Sequence, residues 1–111
     1  MALKPLAALL LAATPALAEG VPEAITVSYA CDGGGALEVA YINPEGTQAS
    51  FAVVLHDGAL VPMKAGPTGS GVRYLSIGEP KLVWHTKGNL GFLARDDADE
   101  TMILNDCNEI Q

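Results

Sequence analysis

The chain has 111 residues, 50% of them apolar, and thirteen acidic residues outnumber six basic ones to give a formal net charge of −7. That size admits one small domain and excludes a large core. The acidity argues against nucleic acid and favours encounter with a basic protein, because opposite net charge raises association rates.

The first eighteen residues, MALKPLAALLLAATPALA, combine one lysine, an apolar stretch from Leu6 to Ala13 and the small-x-small pattern Ala16-Leu17-Ala18. This is the pattern of a cleaved secretory signal peptide. The stretch is too short for a membrane span and is interrupted by Pro5 and Pro15. No cysteine follows it where a lipid-anchored precursor needs one, so the mature chain, residues 19–111, is expected to be exported without a membrane anchor. Loss of Lys4 with the signal leaves a mature net charge of −8. Cys31 and Cys107 are the only cysteines, and export to an oxidising compartment favours a disulfide between them. No Cys-x-x-Cys exists, and His56 and His85 are far apart, so no metal site is expected.

Strand patterns then follow one another without a helical stretch: 25–31, 36–42, 49–55, 59–65, 71–76, 81–87, 89–95 and 101–106. Ile25, Val27, Tyr29 and Cys31 alternate onto one face, as do Leu37, Val39 and Tyr41, and then Phe51, Val53 and Leu55; the other face carries Thr26, Ser28, Glu38 and Ser50. That is the period of strands half buried against a core. Turn formers separate them: Asp32-Gly33-Gly34-Gly35, Asn43-Pro44-Glu45-Gly46, Asp57-Gly58, Gly78-Glu79-Pro80, Lys87-Gly88-Asn89 and the Asp96–Asp99 cluster. Asp57-Gly58 suits a two-residue hairpin turn. Eight short strands in so few residues predict an all-β fold, a small antiparallel barrel that leaves no exposed edges, with a two-sheet sandwich as the alternative. Pro62 removes a ladder donor and is expected at an edge, bulge or seam. In the sixth strand Leu82, Trp84 and Thr86 share one face and Val83, His85 and Lys87 the other.

The residues do not assemble a catalytic pattern. Ser70 lies between Gly69 and Gly71, but the Gly-x-Ser-x-Gly elbow fails because Thr68 and Val72 occupy the glycine positions. Thr68–Tyr74 also lacks the Gly-Lys-Ser/Thr ending of a phosphate loop. Asp96-Asp97 reads as a solvated turn, and the stretch to Glu100 lacks the spacing and glycine of an EF-hand. The expectation is a protein that is not an enzyme and uses no cofactor. His56, beside a hairpin turn, reads as a surface residue.

Several motifs taken together resemble the bacterial inhibitors of c-type lysozyme, the MliC and PliC forms. VSYAC (27–31) has an aromatic residue two positions before a cysteine. LEVAY (37–41) and ASFAVVLHDGALVPM (49–63) resemble the family's next strands, SGVRY (70–74) its SGARY, WHTKG (84–88) its W-[ST]-KG, and Asn105-Asp106-Cys107 its closing N-x-C. The resemblance implies an eight-stranded antiparallel barrel and a periplasmic inhibitor. It further implies that Ser70 and Lys87 enter the lysozyme cleft and engage its catalytic carboxyl groups, with Gly69, Gly71, Thr86 and Gly88 in the contact region. Arg73 and Tyr74 read mainly as support for the loop, and Trp84 as core or rim. An ammonium and a hydroxyl suit a pair of glycosidase carboxyl groups, and lysozymes of this class are strongly basic. One departure stands out: between Tyr74 and Lys87 the chain has about three residues more than the family's commonest spacing, which places His85 where the family has tryptophan. Gly78-Glu79-Pro80 would house the extra residues in a hairpin tip; a shift of register would instead separate Lys87 from Ser70. Gly88-Asn89 also replaces the usual Gly-Asp. The alternatives are a small-ligand-binding barrel and a structural module of the envelope.

Overall fold

A computed structural model describes residues 23–43 and 51–110. The expected eighteen-residue signal, the Pro44–Gly46 part of the second turn, Ser50 and the start of the third predicted strand lie outside the described residues. The strands are β1 (Glu23–Ala30), β2 (Ala36–Asn43), β3 (Phe51–His56), β4 (Ala59–Gly66), β5 (Val72–Ser76), β6 (Leu82–Lys87), β7 (Leu90–Arg95) and β8 (Met102–Glu109). Each pairs antiparallel with the next and β8 returns to β1, closing the barrel. The sandwich alternative is thereby set aside. The only helical piece among the described residues is one 3-10 turn, Asp32–Gly34.

The barrel closes unevenly. β1 and β2 match over eight residue pairs, whereas β1 and β8 match at only Tyr29–Glu109 and Ala30–Asn108. At this short seam the predicted disulfide is present, joining Cys31, just past β1, to Cys107 on β8. Both sulfurs are in the core.

Inward-facing residues fill the interior. Trp84, Met63, Leu93, Val39 and Val54 are completely buried, with Tyr29, Leu37 and Tyr74 nearly so. No charged or other strongly polar residue among the described ones is buried. The polar ends of the aromatic residues satisfy one another: Trp84 Nε1–H donates to the Tyr41 hydroxyl (2.9 Å), which shares a second hydrogen bond with the Tyr29 hydroxyl (2.7 Å). Such pairing is what permits these rings inside a dry core. Burial raises the pKa of all three tyrosines, Tyr29, Tyr41 and Tyr74, so they stay protonated. Trp84 is thus a core residue, with its ring edge-on to Tyr29 at 4.9 Å.

Four details differ from the sequence reading. In β3 the inward residues are Ala52 and Val54, not Phe51, Val53 and Leu55. FAVVL is apolar on both faces, so alternation carries no signal there. Register decides: Ala52 stands between Tyr41 and Met63, and Val54 between Val39 and Val61. Ile25 continues the inward row of β1 but lies near the strand's start, where it is 62% exposed. Val83 is as fully buried as Trp84 although it faces the other way, paired with Ala94 outside the core cluster. Pro62 occupies neither an edge nor a bulge. Its carbonyl accepts from Ile77 N–H (3.0 Å), so its missing donor falls where the β4–β5 ladder has already ended at Met63–Ser76.

Gly91 is required by the tryptophan. A Cβ there would sit 2.5 Å from Trp84 Cη2 and 2.7 Å from Cζ2, and the ring is held by its bond to Tyr41. Gly91→Ala is expected to destabilise the fold by roughly 1–3 kcal/mol, the usual cost of overpacking a core. A urea denaturation midpoint equal to that of the wild type would contradict this account.

Candidate functional site

The loop between β4 and β5 carries Ser70 at the surface, and its base is fixed by a close backbone approach. Gly71 has φ +72°, and a Cβ on it would lie 2.2 Å from the Thr86 carbonyl oxygen and 3.1 Å from Lys87 Cβ. Only glycine fits both the dihedral and the space. The adjoining register pairs Val72 with Thr86, so the strand end that bears Lys87 runs directly beside the loop that bears Ser70. β5 and β6 stay in register across the 77–81 connection, and this leaves Lys87 next to Gly71.

Ser70 and Lys87 line one open groove, together with His85, Phe92, Asn105 and Asp106. Lys87 is exposed and forms no ion pair among the described residues, whose one salt bridge is Arg73–Glu100. Its ammonium is therefore available to an incoming anion. Across the groove, a β-bulge shapes β8: Gly91 pairs with Cys107 and Leu93 with Leu104, so Asn105 and Asp106 together stand opposite Phe92. Asp106 has φ +53°, an uncommon conformation for a residue with a side chain. Bulges of this kind re-aim side chains at rims and sites.

Within the loop, Ser70 N–H donates to Thr68 Oγ1 (3.4 Å), and the Thr68 hydroxyl donates back to the Ser70 carbonyl (3.1 Å). The same carbonyl lies 3.0 Å from His85 Nε2. A carbonyl only accepts, so His85 carries its proton on Nε2 in this arrangement.

The remaining expected residues are placed as follows. Gly69 is exposed beside Ser70, Thr86 lines the groove, and Gly88 is exposed in the β6–β7 turn with φ +61°. Tyr74 is 2% exposed and packs near Tyr41, with ring centroids 5.8 Å apart, so it belongs to the interior rather than to a contact surface. Among the described residues, the side-chain bonds of Arg73 go to Glu100 and not to the Ser70 loop. Its guanidinium binds the Glu100 carboxylate at 2.7 and 3.5 Å, reaching from β5 past β6 to the β7–β8 connection. That hydrogen bond holds the Glu100 carboxyl below its ordinary pKa and raises that of Arg73. In the same connection, Thr101 N–H donates to Asp97, lowering its pKa in turn. Asp96–Glu100 is thus an organised turn. His56 is half-buried at the end of β3.

Sequence reasoning missed three contributors. Glu100 stands 27 residues from Arg73, a separation at which no local pattern operates. His85 follows only once the register sets it beside Arg73. Asp106 was visible in Asn105-Asp106-Cys107, but as a family motif without a role.

Residues 29–102 match the family model MliC, described as membrane-bound lysozyme-inhibitor of c-type lysozyme. Among solved structures, the periplasmic lysozyme inhibitor of c-type lysozyme PliC-St from Salmonella typhimurium is similar, with 26% identity and a TM-score of 0.70 over 80% of this chain and 100% of that one. No curated protein sequence matches significantly. A family match spanning most of the barrel, a shared fold and the SGVRY and WHTKG strands on one groove lead to one conclusion: the chain belongs to the MliC family.

Proposed function

We propose that this protein is a periplasmic, non-enzymatic inhibitor of a c-type lysozyme, exported by cleavage after residue 18 and acting as the 19–111 domain. It blocks the substrate cleft by pressing the Ser70 loop and the Lys87 strand end against the catalytic carboxyl groups. The observation that carries this reading is that Ser70 and Lys87 border the same groove, on a loop and a strand locked together by Gly71. The ammonium would form a charge-assisted hydrogen bond with one carboxylate and the hydroxyl would donate to the other, interactions about twice as strong as neutral ones. The barrel supports the reading through rigidity, because a packed, disulfide-closed shell orders little on binding. Its acidity would draw it to a basic enzyme. The filled interior leaves the small-ligand alternative without a chamber among the described residues.

The test is a lysis assay with hen-type lysozyme and purified mature protein. Loss of bacteriolytic activity near stoichiometric ratio is expected, and Ser70→Ala should weaken it about tenfold while leaving the melting temperature unchanged. Full lysis in the presence of excess protein would end the proposal.

A further inference from the structure

The Ser70 loop lacks an apolar anchor: residues 67–71 are all exposed. An exposed loop stays mobile unless polar ties hold it. The two bonds between Thr68 and Ser70 span two residues. They shape the loop internally but do not orient it on the barrel. Gly71 fixes the loop's base against Thr86, one residue short of the side chain that matters. The bond that ties Ser70 itself to a strand comes from His85 Nε2, 3.0 Å from its carbonyl and fifteen residues along the chain.

His85 is itself well placed to hold that bond. It faces outward from β6 between two cross-strand partners, Arg73 on β5 and Phe92 on β7. Its ring rests against that of Phe92 with centroids 5.4 Å apart, and Arg73 is drawn away by Glu100. Phe92 thus supports one side of the imidazole while Nε2 meets the loop.

We infer that His85 is a positioning residue: by holding the Ser70 carbonyl it sets the direction in which the Ser70 hydroxyl is presented. This deepens the proposed inhibition, on which its effect on lysozyme rests, but the positioning is measurable in the free protein. The bond requires a proton on Nε2, a condition met by the Nε2–H tautomer and by the imidazolium but not by the Nδ1–H tautomer.

The experiment compares wild type, His85→Ala and His85→Gln, each with Ser70 present and with Ser70→Ala. Amide 15N relaxation of residues 69–71 reads loop order without lysozyme, and binding kinetics to hen-type lysozyme read the consequence. His85→Ala is expected to lower the order parameters of the loop and to weaken binding about three- to tenfold, the scale of one neutral hydrogen bond, chiefly by faster dissociation. His85→Gln, whose amide N–H has similar reach, should restore both. In the Ser70→Ala background the further effect of His85→Ala should shrink below about twofold, because a positioning residue has nothing left to position. Unchanged loop order, failure of glutamine to restore it, or an equal loss with and without the Ser70 hydroxyl would overturn the inference. Imidazole 15N shifts of the wild type showing the Nδ1–H form would do so without any variant. If the wild type does not bind lysozyme, the functional reading fails, and the relaxation data still decide the positioning.

Discussion

Lys87→Ala is expected to weaken binding to a c-type lysozyme by roughly two to three orders of magnitude while leaving the fold intact. The ammonium is exposed and has no ion-pair partner among the described residues in the free protein, so its removal breaks nothing that stabilises the barrel; surface substitutions of this kind usually change stability by less than about 0.5 kcal/mol. In the proposed complex the same ammonium is enclosed with a carboxylate in a closed cleft. Removing one partner of such a pair costs about 2–5 kcal/mol, largely because the other charge is left buried and unpaired. Most of the loss should appear in the dissociation rate, since a single charge changes long-range attraction little in so acidic a chain. Lys87→Met separates charge from bulk by keeping an unbranched apolar chain, and it should lose nearly as much as alanine. Surface plasmon resonance of both variants provides the check. Wild-type affinity in Lys87→Met would mean that the amine does not meet an acidic partner.

Replacing both cysteines with alanine is expected to destabilise the protein by about 4 kcal/mol, a large share of the 5–15 kcal/mol that holds a typical domain folded. Cys31 and Cys107 are 76 residues apart, so the bridge shortens a long loop in the unfolded chain. The barrel adds a second reason. Its closing seam has two registered pairs between β1 and β8, reinforced by Ile110 N–H donating to the Ser28 carbonyl (2.9 Å). Without the bridge, the seam is the place where the barrel should open first. Urea denaturation of the double variant measures the stability, and hydrogen exchange should show protection lost from β1 and β8 before β3 and β4. An unchanged midpoint would show that backbone pairing and packing close the barrel unaided. Because β8 also carries Asn105 and Asp106 on the groove rim, opening there should reduce inhibition in step with stability.

The sequence by itself determined the number and order of the strands, because alternation of apolar residues and turn chemistry act over a few residues. All eight predicted strands are present, and Asp57-Gly58 makes the tight β3–β4 turn, with positive φ at both residues. It also made the disulfide legible, since two cysteines have one possible pairing, and the structure joins them. Ser70 and Lys87 were legible as candidates through SGVRY and WHTKG. What only the tertiary structure decided depends on register and on partners distant along the chain. The facing of β3 was hidden because every residue from Phe51 to Leu55 is apolar, and it was resolved by the cross-strand match to Tyr41 and Met63. Arg73 found Glu100, and Trp84 found Tyr41 across 43 residues, since hydrogen-bond partners in a barrel are set by strand order and not by spacing. That Lys87 lies beside the Ser70 loop follows from one close contact, Gly71 against Thr86, which local pattern cannot encode because it exists only when β5 and β6 are paired.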